Sequence, residues 1–391
     1  MLNLFFWRKP KSNLAILYLM AFFLALAGAL PAYIQSSFIE SYVGVSAVNW
    51  FFIAANLVSL FAILFFPLII KKYGNYLSTG LVSVLFLLSL AGLGLNTKPL
   101  FIFLFFILMQ VSINLIWINM DIFVKEFSKT ADTGKIRGIY FTIINLAWIV
   151  SPSISGWIIS LSDYYAVFLS SALVLFPFLL IFSIFGRKIY SRPKYKTNVL
   201  KSFKSMFKNK DLSSVFWLAT LLNVFFSVAV ITIPIYLNHY LGFSWSEIGL
   251  AFSIMLIPFL IVEIPAGFIA DKYLGEKEMF ALGFFIIIAC LTVSMLTNST
   301  NIWLWTIILF TGRVGAALVE AMRESYFFKK VSSRDVDKIN IFRAALPLGY
   351  LIGSLLTIVS LIFWPINYVF LIAAIFICSA FPFILNMKDT K

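Results

Sequence analysis

Twelve stretches of this chain are each apolar over a length that crosses about 30 Å of hydrocarbon as a helix. They fall at about 14–35, 48–70, 77–95, 100–123, 138–160, 164–186, 212–239, 246–270, 279–297, 302–327, 339–362 and 366–386. Nothing but a membrane bundle accommodates that many. Hydrophobic residues make up 62% of the chain and charged residues 12%, outside the balance of a soluble domain. The first stretch follows Arg8, Lys9 and Lys11 in the manner of a signal peptide. Its apolar run is long for that, and it reads as a retained helix 1.

The net charge of +14 raises the question of nucleic acid, and the placement of the charges answers it. With a cytosolic amino terminus, the inside segments hold Arg8 to Lys11, Lys71 and Lys72, and Lys125 to Arg137. They also hold Arg187 to Lys210, Lys272 and Lys277, Lys329 to Lys338, then Lys388 and Lys391. The opposite loops offer Lys98 against Glu40, Asp163 and Glu247. This is the positive-inside bias, which places both termini in the cytosol. The basic charge is topological, so no nucleic-acid partner is expected.

A duplication runs through the chain. Lys72-Tyr73 and Lys272-Tyr273 each follow the second apolar span of their own half. The expected division is a six-helix bundle over 1–186, a cytosolic basic linker over 187–211, and a second six-helix bundle over 212–391. Such repeats are how many secondary transporters are built. Within the linker, Val199, Phe203, Met206 and Phe207 share one helical face. The segment is either a short helix on the inner membrane surface or a solvated connector.

The loop after helix 8 reads Gly267, Asp271, Lys272, with Gly275 one residue late. The loop after helix 2 has Pro67 and Lys71 at the positions of the glycine and the acid. On these residues and the doubled six-span layout, the whole chain resembles the major facilitator superfamily, whose signature there is Gly-x-x-x-Asp-Arg/Lys-x-Gly. The resemblance implies an all-α integral membrane protein with twelve transmembrane helices in two pseudo-symmetric bundles. It also implies a cytosolic gate around Gly267, Asp271, Lys272 and Lys72, with Lys71 removing the acid from the first copy. Helix 5 carries Gly138, Ala147, Ser151, Pro152, Ser155 and Gly156, spaced like the superfamily's antiporter motif with glycines replaced by Ala or Ser. Close helix packing explains the same pattern.

Charge inside an apolar span is costly and marks a cavity or a partner. Arg313 lies about 18 Å from the outer end of helix 10 at 1.5 Å per residue, near the midplane. It is the candidate for a substrate contact in the central cavity, unless Glu320 or Glu263 pairs with it. Glu320, Arg323, Glu324 and Arg343 read as an ion-pair network, and Asp121 as a helix-end acid pairing with loop lysines. Glu263 and Glu320 are the candidates for proton coupling, Glu263 being the more isolated from basic residues in sequence. Burial disfavours a charged carboxylate and a nearby arginine favours it, so Arg313 could switch the acid's state. Helices 1 and 7 hold no acid, whereas several proton-coupled exporters of the superfamily carry one in helix 1.

Gln110, Asn114, Asn119, Asn145, Trp117 and Trp148 offer a mixed polar and aromatic lining in the amino half. A buried amide needs a partner, either another helix or a substrate. His239 reads as an ordinary interfacial histidine, and Trp50, Trp157, Trp245, Trp303 and Trp364 as interface anchors. Cys290 and Cys378 form no disulfide or metal framework. No ATP-binding Gly-x4-Gly-Lys-Ser/Thr and no enzyme constellation occurs, so the energy source is a gradient. The resulting expectation is a monomeric secondary transporter of the plasma membrane (a cell inner membrane), with no cofactor and no metal. It would export small amphipathic compounds against protons by alternating access. The alternative is an importer or facilitator of a polar nutrient, a sugar or an organic anion.

Overall fold

The computed structural model describes residues 10–127, 133–189, 199–331 and 336–388. Helix 1 runs over Pro10–Ala29, turns, and resumes as Gln35–Val43. Pro31 has no N–H to continue the ladder, so a single straight span to residue 35 is not formed. Val45–Leu95 is two crossings, helices 2 and 3, joined at Gly74 with φ 83° and ψ 163°. Helix 4 is Pro99–Phe127, helix 5 Thr133–Leu161 and helix 6 Tyr164–Phe185.

In the second half, helix 7 spans Lys210–Tyr240 and helix 8 spans Trp245–Ala270. Helix 8 is interrupted after Leu256 and Ile261, where Pro258 and Pro265 withhold backbone donors. Helix 9 is Glu276–Leu296, helix 10 Ile302–Lys330, helix 11 Asp337–Phe363 and helix 12 Tyr368–Asn386. The described residues therefore make twelve apolar crossings and contain no strand. This all-α membrane architecture agrees with the reading of the sequence.

The linker contains a helix, Val199–Lys208, while residues 190–198 lie outside the described set. Met206 is buried and Phe207 packs on Phe216 of helix 7 at 5.1 Å. Asn209 caps helix 7, its Oδ1 accepting from the backbone N–H of Asp211 and Leu212 at 3.0 and 3.2 Å. Helix 7 thus starts two residues before the expected 212.

The duplication reappears in the backbone. Among the described residues, positive φ occurs at Gly44, Gly74, Gly242 and Gly275 (74°, 83°, 75° and 104°). Gly44 and Gly242 turn the chain from the first to the second helix of each half. Gly74 and Gly275 turn it from the second to the third. Only a residue without a Cβ takes these angles at little cost. Lys72 and Lys272 each hold their ammonium over the following tyrosine ring, at 5.0 and 5.3 Å.

Within each half the helices pack on one another, and the halves meet along helices 5 and 8, helices 2 and 11, and the resumed part of helix 1 with helix 7. Leu57, Phe61, Phe65 and Leu68 of helix 2 are outward and exposed, as a lipid-facing stripe would be.

Candidate functional site

Between the halves lies a cavity of about 510 Å³, lined by residues from helices 1 to 5 and from helices 7, 8, 10 and 11. One end is sealed. There Gly156 and Gly249 bring helices 5 and 8 together so closely that a Cβ on Gly156 would meet the Trp245 carbonyl oxygen at 2.2 Å. Ser153 and Ser253 share a hydrogen bond of 2.7 Å beside them. Glu40 and His239 pair across the halves at the same end, and Trp245 Nε1 donates to the Tyr164 hydroxyl at 2.8 Å. Trp245 is therefore part of this seal. Trp50, Trp157, Trp303 and Trp364 are exposed.

The cavity runs from this seal toward the end that carries the basic loops, and exposure rises along it. Arg313 is 3% exposed, whereas the side chains of Glu320 and Asp121 are 28% and 27% exposed.

Arg313 occupies the deep part. Its Nη2 donates to the Tyr33 hydroxyl at 3.2 Å. The guanidinium carbon lies 5.2 Å from the ring centre of Phe226, 5.5 Å from Phe225 and 6.0 Å from Tyr33. Among the described residues no carboxylate stands within ion-pair distance of it. The pairing of Arg313 with Glu320 or Glu263, left open by the sequence, does not occur. Glu320 instead accepts from Arg323 at 2.7 Å, three residues on along the same helix.

Glu324 accepts from Arg343 at 2.7 Å, and Arg343 also approaches Asp121 at 3.4 Å. Asp121 belongs to helix 4 of the amino half. The expectation of loop lysines did not include this partner, which Asp121 reaches because the inner end of helix 4 faces helix 11 across the cavity. The network therefore ties the two halves together. Glu263 also lines the cavity, and among the described residues it has no hydrogen bond or ion pair.

The amides divide. Gln110 Nε2 donates to Gln35 Oε1 at 3.3 Å, and Asn145 Nδ2 donates to the Phe259 carbonyl at 3.3 Å across the halves. Both line the cavity, together with Asn114, Trp117 and Trp148, and Trp148 meets Tyr33 edge-on at 6.4 Å. Asn119 does not line it. That amide is buried against helix 3, donating to Ser78 Oγ at 3.4 Å.

Tyr33, Gln35, Asn56, Asn223 and Tyr350 also line the cavity and were missed. Gln35, Asn56 and Asn223 are amides inside apolar runs, the same signal that singled out Gln110.

In helix 5, Ala147, Ser151 and Ser155 are buried, and Ser155 Oγ donates to the Leu30 carbonyl of helix 1 at 2.6 Å. Ser151 Oγ donates to the Ala147 carbonyl at 2.7 Å, and the Pro152 carbonyl faces Gly249. Gly138 has open space around it. The small residues around Pro152 are thus contacts between helices. In the loop after helix 8, Gly267 also has open space, and the Asp271 side chain lies outside the described set.

The sequence profile of the Major Facilitator Superfamily matches residues 14–331, with a second match over 215–390. The chain belongs to the major facilitator superfamily. The crystal structure of the nucleoside transporter NupG superposes with a TM-score of 0.73 over 97% of this chain and 100% of that one, at 15% identity. At that identity the likeness is one of fold. No curated protein matches the sequence. Among the described residues no group of His, Cys, Asp and Glu is placed to hold a metal ion.

Proposed function

We propose that this superfamily member is a secondary carrier that moves a small polar solute by alternating access, driven by a proton gradient. The carrying observation is the cavity between the halves, with a buried Arg313 and amides from both halves on its wall. Gln110, Asn145, Asn56 and Asn223 each donate one hydrogen bond to the protein, and the remaining donor and acceptor capacity of each amide is there for a solute to use. That weighs toward the polar-solute reading and against export of amphipathic compounds, although Trp148, Phe226 and Phe259 keep part of the wall apolar.

The positive-inside bias makes the basic end cytosolic, so the present state opens inward with its outer end sealed. Glu263 is the proton site, being the cavity carboxylate without a cationic partner among the described residues. The protein acts as a monomer in the plasma membrane, with both termini inside.

Purified protein in liposomes tests this. Labelled nucleosides, sugars, organic anions and cationic drugs are offered with and without an inward proton gradient. Gradient-dependent accumulation of a polar solute is expected. Gradient-dependent movement of the cationic drugs alone would restore amphipathic export.

A further inference from the structure

We infer that the solute is a small monocarboxylate with a flat body, its carboxylate seated on Arg313. The inference rests on the carrier reading above and adds the charge and shape of the solute.

Three observations carry it. First, Arg313 is a guanidinium 97% removed from solvent, with only a neutral hydroxyl, Tyr33, as its hydrogen-bond partner. Arginine stays charged in a protein interior, and a buried charge is stable when it is paired. Every other arginine lining the cavity has its carboxylate: Arg323 has Glu320, and Arg343 has Glu324 and Asp121. Among the described residues Arg313 alone waits for one. Second, the stoichiometry is one. Among the described residues no second unpaired cation lines the cavity near Arg313, so the site balances a single negative charge. A phosphate dianion would remain undercompensated. The planar fork of a guanidinium matches the two oxygens of a carboxylate.

Third, the surroundings of Arg313 are rings. Phe225, Phe226 and Tyr33 hold the guanidinium by their faces, and Trp148 stands edge-on to Tyr33. These rings stabilise the cation before the solute arrives, by cation–π attraction that no carboxylate of the protein must be removed to release. Tyr33, Phe226 and Trp148 also give this part of the cavity an aromatic wall, on which a planar body can stack. Gln35, Gln110 and Tyr350 border it for polar substituents.

The test uses full-length protein in detergent and in liposomes, with matched pairs that differ by charge alone. The pairs are nicotinate with nicotinamide, benzoate with benzamide, and orotate with uracil. Binding is read as a rise in melting temperature with concentration and confirmed by titration calorimetry.

At least one carboxylate is expected to bind about 10-fold or more tightly than its neutral partner, the scale of a charge-assisted hydrogen-bonded pair. Arg313→Gln is expected to remove that preference. Arg313→Lys keeps the charge without the fork and is expected to bind the carboxylate at intermediate affinity. It serves as the readout if Arg313→Gln does not fold. Equal binding of charged and neutral partners overturns the inference. So does absence of carboxylate binding, or a preference that survives both substitutions. The carrier reading stands apart from these outcomes. If a nucleoside or sugar undergoes counterflow in liposomes while no carboxylate binds, the carrier is retained and the monocarboxylate is lost.

Discussion

At the scale of single residues, the partners of the cavity carboxylates decide which of them can exchange a proton. Arg323 holds Glu320 at 2.7 Å and Arg343 holds Glu324 at 2.7 Å, so protonating either acid would break an ion pair. Glu263 has no such tie among the described residues, and Glu320, Glu324 and Arg323 are the charges within electrostatic reach of it. Glu263→Gln is therefore expected to leave solute exchange intact while abolishing acceleration by an inward proton gradient. Glu320→Gln is expected to lower the melting temperature and keep the gradient response. Liposome uptake at a series of internal and external pH values measures both. A gradient response unchanged in Glu263→Gln would remove the proton from this site. The isolation of Glu263 was legible in the sequence, because no basic residue lies near it along helix 8. The Asp121–Arg343 contact was not, since 222 positions of chain separate its partners.

At the scale of elements, the seal between helices 5 and 8 depends on two glycines facing each other. A Cβ on Gly156 would stand 2.2 Å from the Trp245 carbonyl oxygen, and one on Gly249 would stand 2.4 Å from the Pro152 carbonyl oxygen. Backbone is on both sides, so relief requires the helices to separate. Gly156→Ala is expected to destabilise this sealed state by about 1–3 kcal/mol, the usual cost of overpacking. In the alternating-access cycle proposed above that cost falls on one state, so the population would move toward the state open at the opposite end. The expected outcome is faster labelling of Val230→Cys, a cavity residue near the seal, by an impermeant thiol reagent added outside. Unchanged labelling and an unchanged melting temperature would mean the two backbones are not held this close. The small-residue spacing in helix 5 was visible in the sequence. Which helix it approaches was not.

At the scale of the whole molecule, topology follows from charge placement and span count. The connecting helix Val199–Lys208 and the loop after helix 9 are expected on opposite sides of the membrane. Ser205→Cys and Thr300→Cys, each made with Cys378→Ser, report this. Ser205→Cys is expected to label only after permeabilisation and Thr300→Cys in intact cells. The reverse pattern would invert the protein and turn the present cavity outward. The pairing of Gly44 with Gly242 and of Gly74 with Gly275 shows how far the repeat extends, down to the backbone angles of corresponding turns.

The sequence alone determined the all-α membrane class, the twelve crossings and the doubled half, because each depends on local quantities. These are the length of an apolar run, the sign of loop charge and the recurrence of a motif. It also marked Arg313, since a charge deep in a largely apolar span is conspicuous without any structure. Tertiary structure alone decided that Arg313 meets the rings of Tyr33, Phe225 and Phe226 while Arg323 and Arg343 take the nearby acids. It likewise decided that Asn119 turns to helix 3 and Asn145 to the other half. Such choices depend on the rotation of each helix about its own axis. That rotation is set by packing between segments far apart in the chain, and no local window of sequence contains it.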